Sequence, residues 1–182
     1  MEQIGQGIVQ LELTKLQAFP NHPYRVVADE SMAQLIESIR QFGVLSPIIV
    51  RYLDGINWQI ISGHRRKFAC EQLGITTIPA ITKEIDSDEA IIMMVDSNFQ
   101  REQLLPSEKA RAYKMKLDAV KRQGLRNDLT SAHDGQKLKR KSSRDQIAEN
   151  SPDSSTQIQR YVRLNYLISE LLEMVDSGQV AV

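Results

Sequence analysis

Two β-rich runs, residues 48–53 and 56–61, meet at Asp54-Gly55, and the second leads without a break into Ser62-Gly63-His64-Arg65-Arg66. An aspartate-glycine pair between such runs predicts a tight hairpin, because glycine tolerates the positive φ that a short turn demands. The hairpin thus hands its second strand to a glycine and two arginines just before residues 67–73, which read as a helix closed by Gly74. Around this centre the pattern is mixed. Residues 8–16 alternate loosely and read as a first strand that ends before Pro20 and Pro23. A helix is expected over residues 31–42, with Ser31 and Gln34 as a capping box, Leu35, Ile36, Ile39 and Phe42 at three- and four-residue spacing, and Gly43 as terminator. Residues 78–81 read as a short edge strand, since Pro79 cannot donate within a ladder. Ser87 is expected to cap a helix that carries Ala90, Ile91, Met94 and Val95 on one side and stops near Ser97-Asn98. A longer helix follows from Pro106 to Gly124.

Residues 124–142 are rich in Gly, Ser, Asp, Asn and Lys and read as a linker. Beyond it, Ser143 and Gln146 form a second capping box ahead of Ile147 and Ala148, and Ser151-Pro152-Asp153 turns into a helix over residues 154–165. Two short helices around a tight turn make a helix-turn-helix pattern. Ile158 and Val162 would face inward, leaving Ser155, Thr156, Gln157, Gln159, Arg160 and Arg163 to meet base edges and phosphates. The fold class expected is α+β: a small mixed-sheet domain with flanking helices over residues 1–123, the linker, and an all-α helix-turn-helix domain over 143–182 that the sequence cuts short. The chain shows no internal repeat.

The net charge of zero hides an asymmetry. Residues 1–96 hold 8 Lys/Arg against 12 Asp/Glu, whereas residues 97–182 hold 15 against 11. Between residues 109 and 144 the balance is 12 basic to 3 acidic, including Lys139, Arg140 and Lys141, which is the footprint of a surface that recruits phosphate backbones. Other classes fare worse. No apolar run approaches the eighteen or so residues of a membrane span, the first ten residues lack a secretory signal, and a cytoplasmic location is expected. The single cysteine, Cys70, sits among Phe68, Ala69 and Leu73 and reads as a small buried hydrophobe. His22, His64 and His133 have no metal-ligand spacing.

Ser62 to Arg66, taken with Asn98-Phe99-Gln100-Arg101, suit a polyphosphate. Glycine lets the backbone approach a ligand, unpaired N–H groups at a helix start point outward, and guanidinium groups give charge-assisted bonds to phosphate oxygens. His64 adds a further donor.

At this point the ordered motifs resemble those of the ParB-type DNA partition proteins, whose N-terminal fold is shared with sulfiredoxin. Residues 39–48, Ile-Arg-Gln-Phe-Gly-Val-Leu-Ser-Pro-Ile, look like that family's helix and following turn; Gly63-His64-Arg65-Arg66 looks like its Gly-Glu-Arg-Arg box; residues 98–108 look like its Glu-Asn-Leu-Gln-Arg box and next helix start. The resemblance implies a CTP-gated clamp on DNA that recognises a centromere-like site. Gly43, Val44, Leu45, Ser46 and Pro47 would sit by the base and ribose, Ser62, Gly63, His64, Arg65 and Arg66 would hold the phosphates, and Asn98, Gln100 and Arg101 would complete the triphosphate and Mg2+ site. His64 and Ser97 stand where the family has acids, which leaves Asp96 as the candidate carboxylate for any slow CTP hydrolysis. Duplex DNA, a second copy of the chain and a ParA-type ATPase are the implied partners. Two alternatives remain open: a nucleotide-independent helix-turn-helix regulator, and a sulfiredoxin-like ATP-using enzyme. The last is disfavoured because His64 occupies the place of sulfiredoxin's cysteine.

Overall fold

The computed structural model describes residues 7–99, 104–130 and 142–182, with no side-chain detail for 126–130. The chain divides into two compact units, Met1–Asp86 and Ser87–Val182.

The first unit runs β1 (Ile8–Glu12), a 3-10 turn (Leu13–Lys15), β2 (Leu16–Gln17), α1 (Glu30–Phe42), β3 (Ile48–Asp54), β4 (Asn57–Ser62), α2 (His64–Gln72) and β5 (Thr77–Lys83). Its five-stranded sheet has the order β1-β5-β3-β4-β2. The β1–β5 and β3–β4 pairs are antiparallel and the β3–β5 and β2–β4 pairs parallel, so the sheet is mixed as expected. Ile48 and Val50 of β3, Ile60 of β4, and Ile78 and Ala80 of β5 are fully buried. Met32 and Ile39 of α1 and Ala69 and Cys70 of α2 pack into the same cluster. Burial of each such isoleucine contributes roughly 1.5–3 kcal/mol, and the alternation in β3 puts Ile48 and Val50 together on the buried face. The predicted hairpin forms, with Asp54 opposite Asn57 and the Asn57 amide donating to the Asp54 carboxylate at 2.8 Å.

Three details differ from the sequence expectation. The first strand is broken by the 3-10 turn, where the Leu13 N–H leaves the ladder and donates to the Thr76 carbonyl at 2.9 Å. Strand β5 is internal rather than an edge: Pro79 faces Gln10 of β1, and the β3 partnership covers only Ala80 to Lys83, so the missing N–H costs β3 nothing. Helix α1 is capped by Asp29, whose carboxylate accepts from the Met32 N–H at 2.8 Å, while the Ser31 hydroxyl supports Asp29 from inside the first turn.

The second unit is helical: α3 (Ser87–Phe99), α4 (Pro106–Thr130), α5 (Ser143–Glu149), α6 (Ser155–Leu164) and α7 (Ser169–Asp176). Tyr113 and Leu117 of α4 form a core with Ile147 of α5 and Ile158 of α6, and Ala110 forms another with Leu164 and Val175. This burial explains why the division falls at Asp86/Ser87 rather than near the expected linker: α3 and α4 spend their apolar faces on one another and on the C-terminal helices. Helix α4 also runs through Gly124 to Thr130, since glycine in a helix interior costs only about 1 kcal/mol. Ser142, not Ser143, caps α5 through the Asp145 N–H. Tyr113, fully buried, donates to Asp153 at 2.6 Å and lies 2.5 Å from the Ser151 hydroxyl, which ties the turn between α5 and α6 to α4. Burial, followed by the adjacent Asp153, pushes its phenol well above the ordinary range.

Candidate functional site

Strand β4 ends at Ser62, and Gly63 turns the chain into α2 at φ 115°. Only glycine fits there. A Cβ at this position would lie 2.4 Å from Ile48 Cγ2, inside the core, and the φ itself is one that L side chains rarely adopt. The α2 start has no side-chain cap hydrogen bond and no acid in its first turn, an electrostatic setting that suits an anion.

The flanking cations are placed by the fold. Arg66 Nη1 donates to the carbonyls of both Ser46 and Pro47 at 2.6 Å, fastening the turn after Gly43 to α2. Gly43 itself closes α1 at φ 70°, with its N–H on the Ile39 carbonyl at 2.9 Å. Arg65 Nη2 donates to the Ser31 hydroxyl at 2.6 Å and lies 3.6 Å from Asp29 Oδ1, and its Nε is buried with no hydrogen-bond partner among the described residues. Hydrogen bonds from Ser31 and the Met32 N–H, then the Arg65 charge, hold the Asp29 carboxyl below its usual range. His64 Nε2 accepts from the Phe19 N–H at 3.4 Å, and its ring lies 3.8 Å from that of His22. Burial raises the Cys70 thiol, in keeping with a packing role. Leu45, at 79% exposed, stands out from the turn that Arg66 holds.

Asn98, Asp96 and Ser97 belong to the second unit. Asn98 lies inside α3 rather than in the expected loop; it is buried, and its Nδ2 donates to the Met94 carbonyl at 2.8 Å. The Ser97 hydroxyl donates to the same carbonyl. Asp96 is bonded by Lys116, a buried lysine; the spacing alone does not reveal the pair. Gln100, Arg101, Lys139, Arg140 and Lys141 lie outside the described residues.

On α6, Thr156, Arg160 and Arg163 form an exposed stripe. Two other expected contacts turn elsewhere: Gln159 accepts from Arg144 of α5, and Ser155 bonds Asp145, whose carboxyl the Ser142 and Ser155 hydroxyls hold below its usual range. Gln157 is half-buried.

The description ParB N-terminal domain matches residues 2–99, more than half of the chain. The chain belongs to the ParB N-terminal domain family. It is 36% identical over 114 residues to the chromosome-partitioning protein Spo0J of Thermus thermophilus, a match that covers 63% of this chain and 42% of the relative. The chain thus spans less than half of that ParB-type relative. Among solved structures, the C-terminally truncated ParB of Caulobacter crescentus complexed to the centromeric parS site is 25% identical, with a TM-score of 0.57 over 95% of this chain and 80% of that one. A Pnob8-like ParB-N domain is 17% identical with a TM-score of 0.62, covers 100% of this chain and 78% of the other, and bears out the mixed-sheet fold.

The residues fit a nucleotide in part. The uncapped start of α2 and the Arg65 guanidinium suit phosphate oxygens, whereas Arg66 spends one edge on protein carbonyls and acts first as a brace. No group of three His, Cys, Asp or Glu side chains gathers to hold a metal ion among the described residues.

Proposed function

We propose that this chain is a partition-type DNA-binding protein whose grip on a centromere-like duplex is governed by CTP. The observation that carries the reading is the brace from Arg66 to Ser46 and Pro47. It joins the two first-unit motifs that resemble the family's nucleotide box into one preformed edge beside an uncapped helix start. Preorganisation of this kind lowers the ordering cost of binding a flexible triphosphate. Ser62, Gly63, His64 and Arg65 would hold phosphates, with Mg2+ bridging their oxygens, and residues 43–47 would meet the base and ribose.

The duplex would be met by α5 and α6 acting as a helix-turn-helix, with Thr156, Arg160 and Arg163 forward. The parS-bound Caulobacter crescentus relative supports that arm. A homodimer and a ParA-type ATPase complete the reading by resemblance, and slow hydrolysis of the nucleotide would reset it.

The test is a titration of CTP and of ATP against the purified protein, alone and with duplexes selected from a random pool. CTP-selective binding that changes duplex retention supports the switch. Duplex binding with no nucleotide binding would leave a plain regulator, and ATP turnover would point to an enzyme.

A further inference from the structure

Among the residues whose side chains are described, helix α4 carries six of the nine cations of the second unit, and four of those six are matched by acids. Lys109 pairs with Asp153 at 3.1 Å, Lys114 with Asp118 at 3.6 Å, Lys116 with Asp96, and Arg122 with Asp88 at 2.6 Å. Lys121 is different. Together with Arg144 of α5 and Arg163 of α6 it lines a cleft of about 450 Å3 that no aspartate or glutamate lines among the described residues. Among the described residues no ion pair forms to Lys121 or Arg163, and Arg144 feels the charge of its chain neighbour Asp145, which does not line the cleft. Leu117 and Val162 give the cleft an apolar component, and Gln159 Oε1 accepts from Arg144 Nη1, which fixes that guanidinium at the wall. Like charges gathered around one recess repel one another and together attract an anion into it.

We propose that this cleft takes a phosphodiester of a DNA backbone, with Lys121, Arg144 and Arg163 as its cations. The proposal deepens the reading of α6 as the duplex-facing helix and rests on it. Arg163 belongs both to the exposed stripe of α6 and to the cleft, so a strand running along that stripe passes the cleft mouth. A first helix that meets the backbone beside a reading helix is general helix-turn-helix geometry; here a residue of α4 joins it. Two forked guanidiniums and one ammonium match phosphate oxygens better than they match a neutral ligand.

The experiment measures binding of a selected-site duplex and of a random-sequence duplex across a salt series, using the full chain and the variants Lys121→Gln, Arg144→Gln, Arg144→Lys and Arg160→Ala. Lys121→Gln and Arg144→Gln are expected to weaken binding to both duplexes by roughly three- to tenfold at low salt. Each should also lower the slope of log affinity against log salt by about one. Arg144→Lys should keep the slope, and thermal melting should show all variants folded.

Unchanged affinity and slope in both glutamine variants, while Arg160→Ala loses discrimination between the duplexes, would overturn the cleft and leave α6 as the reader. Failure of the unmodified chain to bind any duplex would remove both ideas. Inorganic phosphate and CTP serve as free-anion probes. If Lys121→Gln reduces their binding and leaves duplex affinity intact, the cleft is a small-anion site and the proposal fails.

Discussion

Arg65 and Arg66 of the first unit, and Lys121, Arg144 and Arg163 of the second, look equally available in the sequence, yet their surroundings differ. The first pair is built into the fold: Arg66 brackets two carbonyls, and Arg65 leans on the cap of α1. The second group lines an open recess with no acid among its described lining residues, and the nearest charge that Arg144 feels is that of Asp145 beside it on α5. A cation tied to backbone holds a shape for a ligand, whereas one without a counterion holds attraction for a ligand. Charge counts cannot separate the two, because they weigh Lys116, buried on Asp96, the same as Lys121.

The largest expected effect tests the tied side. Gly63→Ala puts a Cβ 2.4 Å from Ile48 Cγ2 in a positive-φ position, and about 3 kcal/mol of stability should be lost, read from chemical denaturation. A variant as stable as the parent would show that the turn into α2 is looser than described. Next, Arg66→Gln should cost about 2 kcal/mol, because it leaves the Ser46 and Pro47 carbonyls without their charged donor. Lys121→Gln should leave stability unchanged within about 0.5 kcal/mol. Equal losses for these two would erase the contrast.

The smallest effect concerns acid. Asp145 is held low by Ser142 and Ser155, so its contribution is present above the ordinary aspartate value of about 3.9 and fades as pH falls through and below it. The melting-temperature gap between the parent and Asp145→Asn should therefore be widest near neutrality and close in acid; a gap independent of pH would detach the stability from that carboxylate's charge.

Much of this was legible from residue types acting locally. Asp54-Gly55 specifies its own turn, Gly63 marks a place where a strand enters a helix through positive φ, and the apolar spacing of α6 follows its buried face, as does that of α1 except for Phe42, which is 66% exposed. What escaped depends on partners distant in sequence. Asp29 outcompetes Ser31 as a cap by a shift of two residues, and Pro79 is tolerated inside the sheet because of a register no local pattern reveals. Gly124 ends nothing, since a glycine inside a helix costs only about 1 kcal/mol. Among the residues the motifs singled out, the positions of Asn98, Gln159 and Ser155 were decided by hydrogen bonds to Met94, Arg144 and Asp145, which no motif announces.

Asp176, the last residue of α7, accepts from the Ser107 N–H at 2.8 Å and so clasps the opening turn of α4 from 69 positions away. The clasp turns the helical unit into a closed ring of contacts. The entropy of closing a loop grows only with the logarithm of its length, so residues added between α4 and α5 should be borne at little cost, whereas cutting the chain ahead of Asp176 would unbuckle the ring at its start.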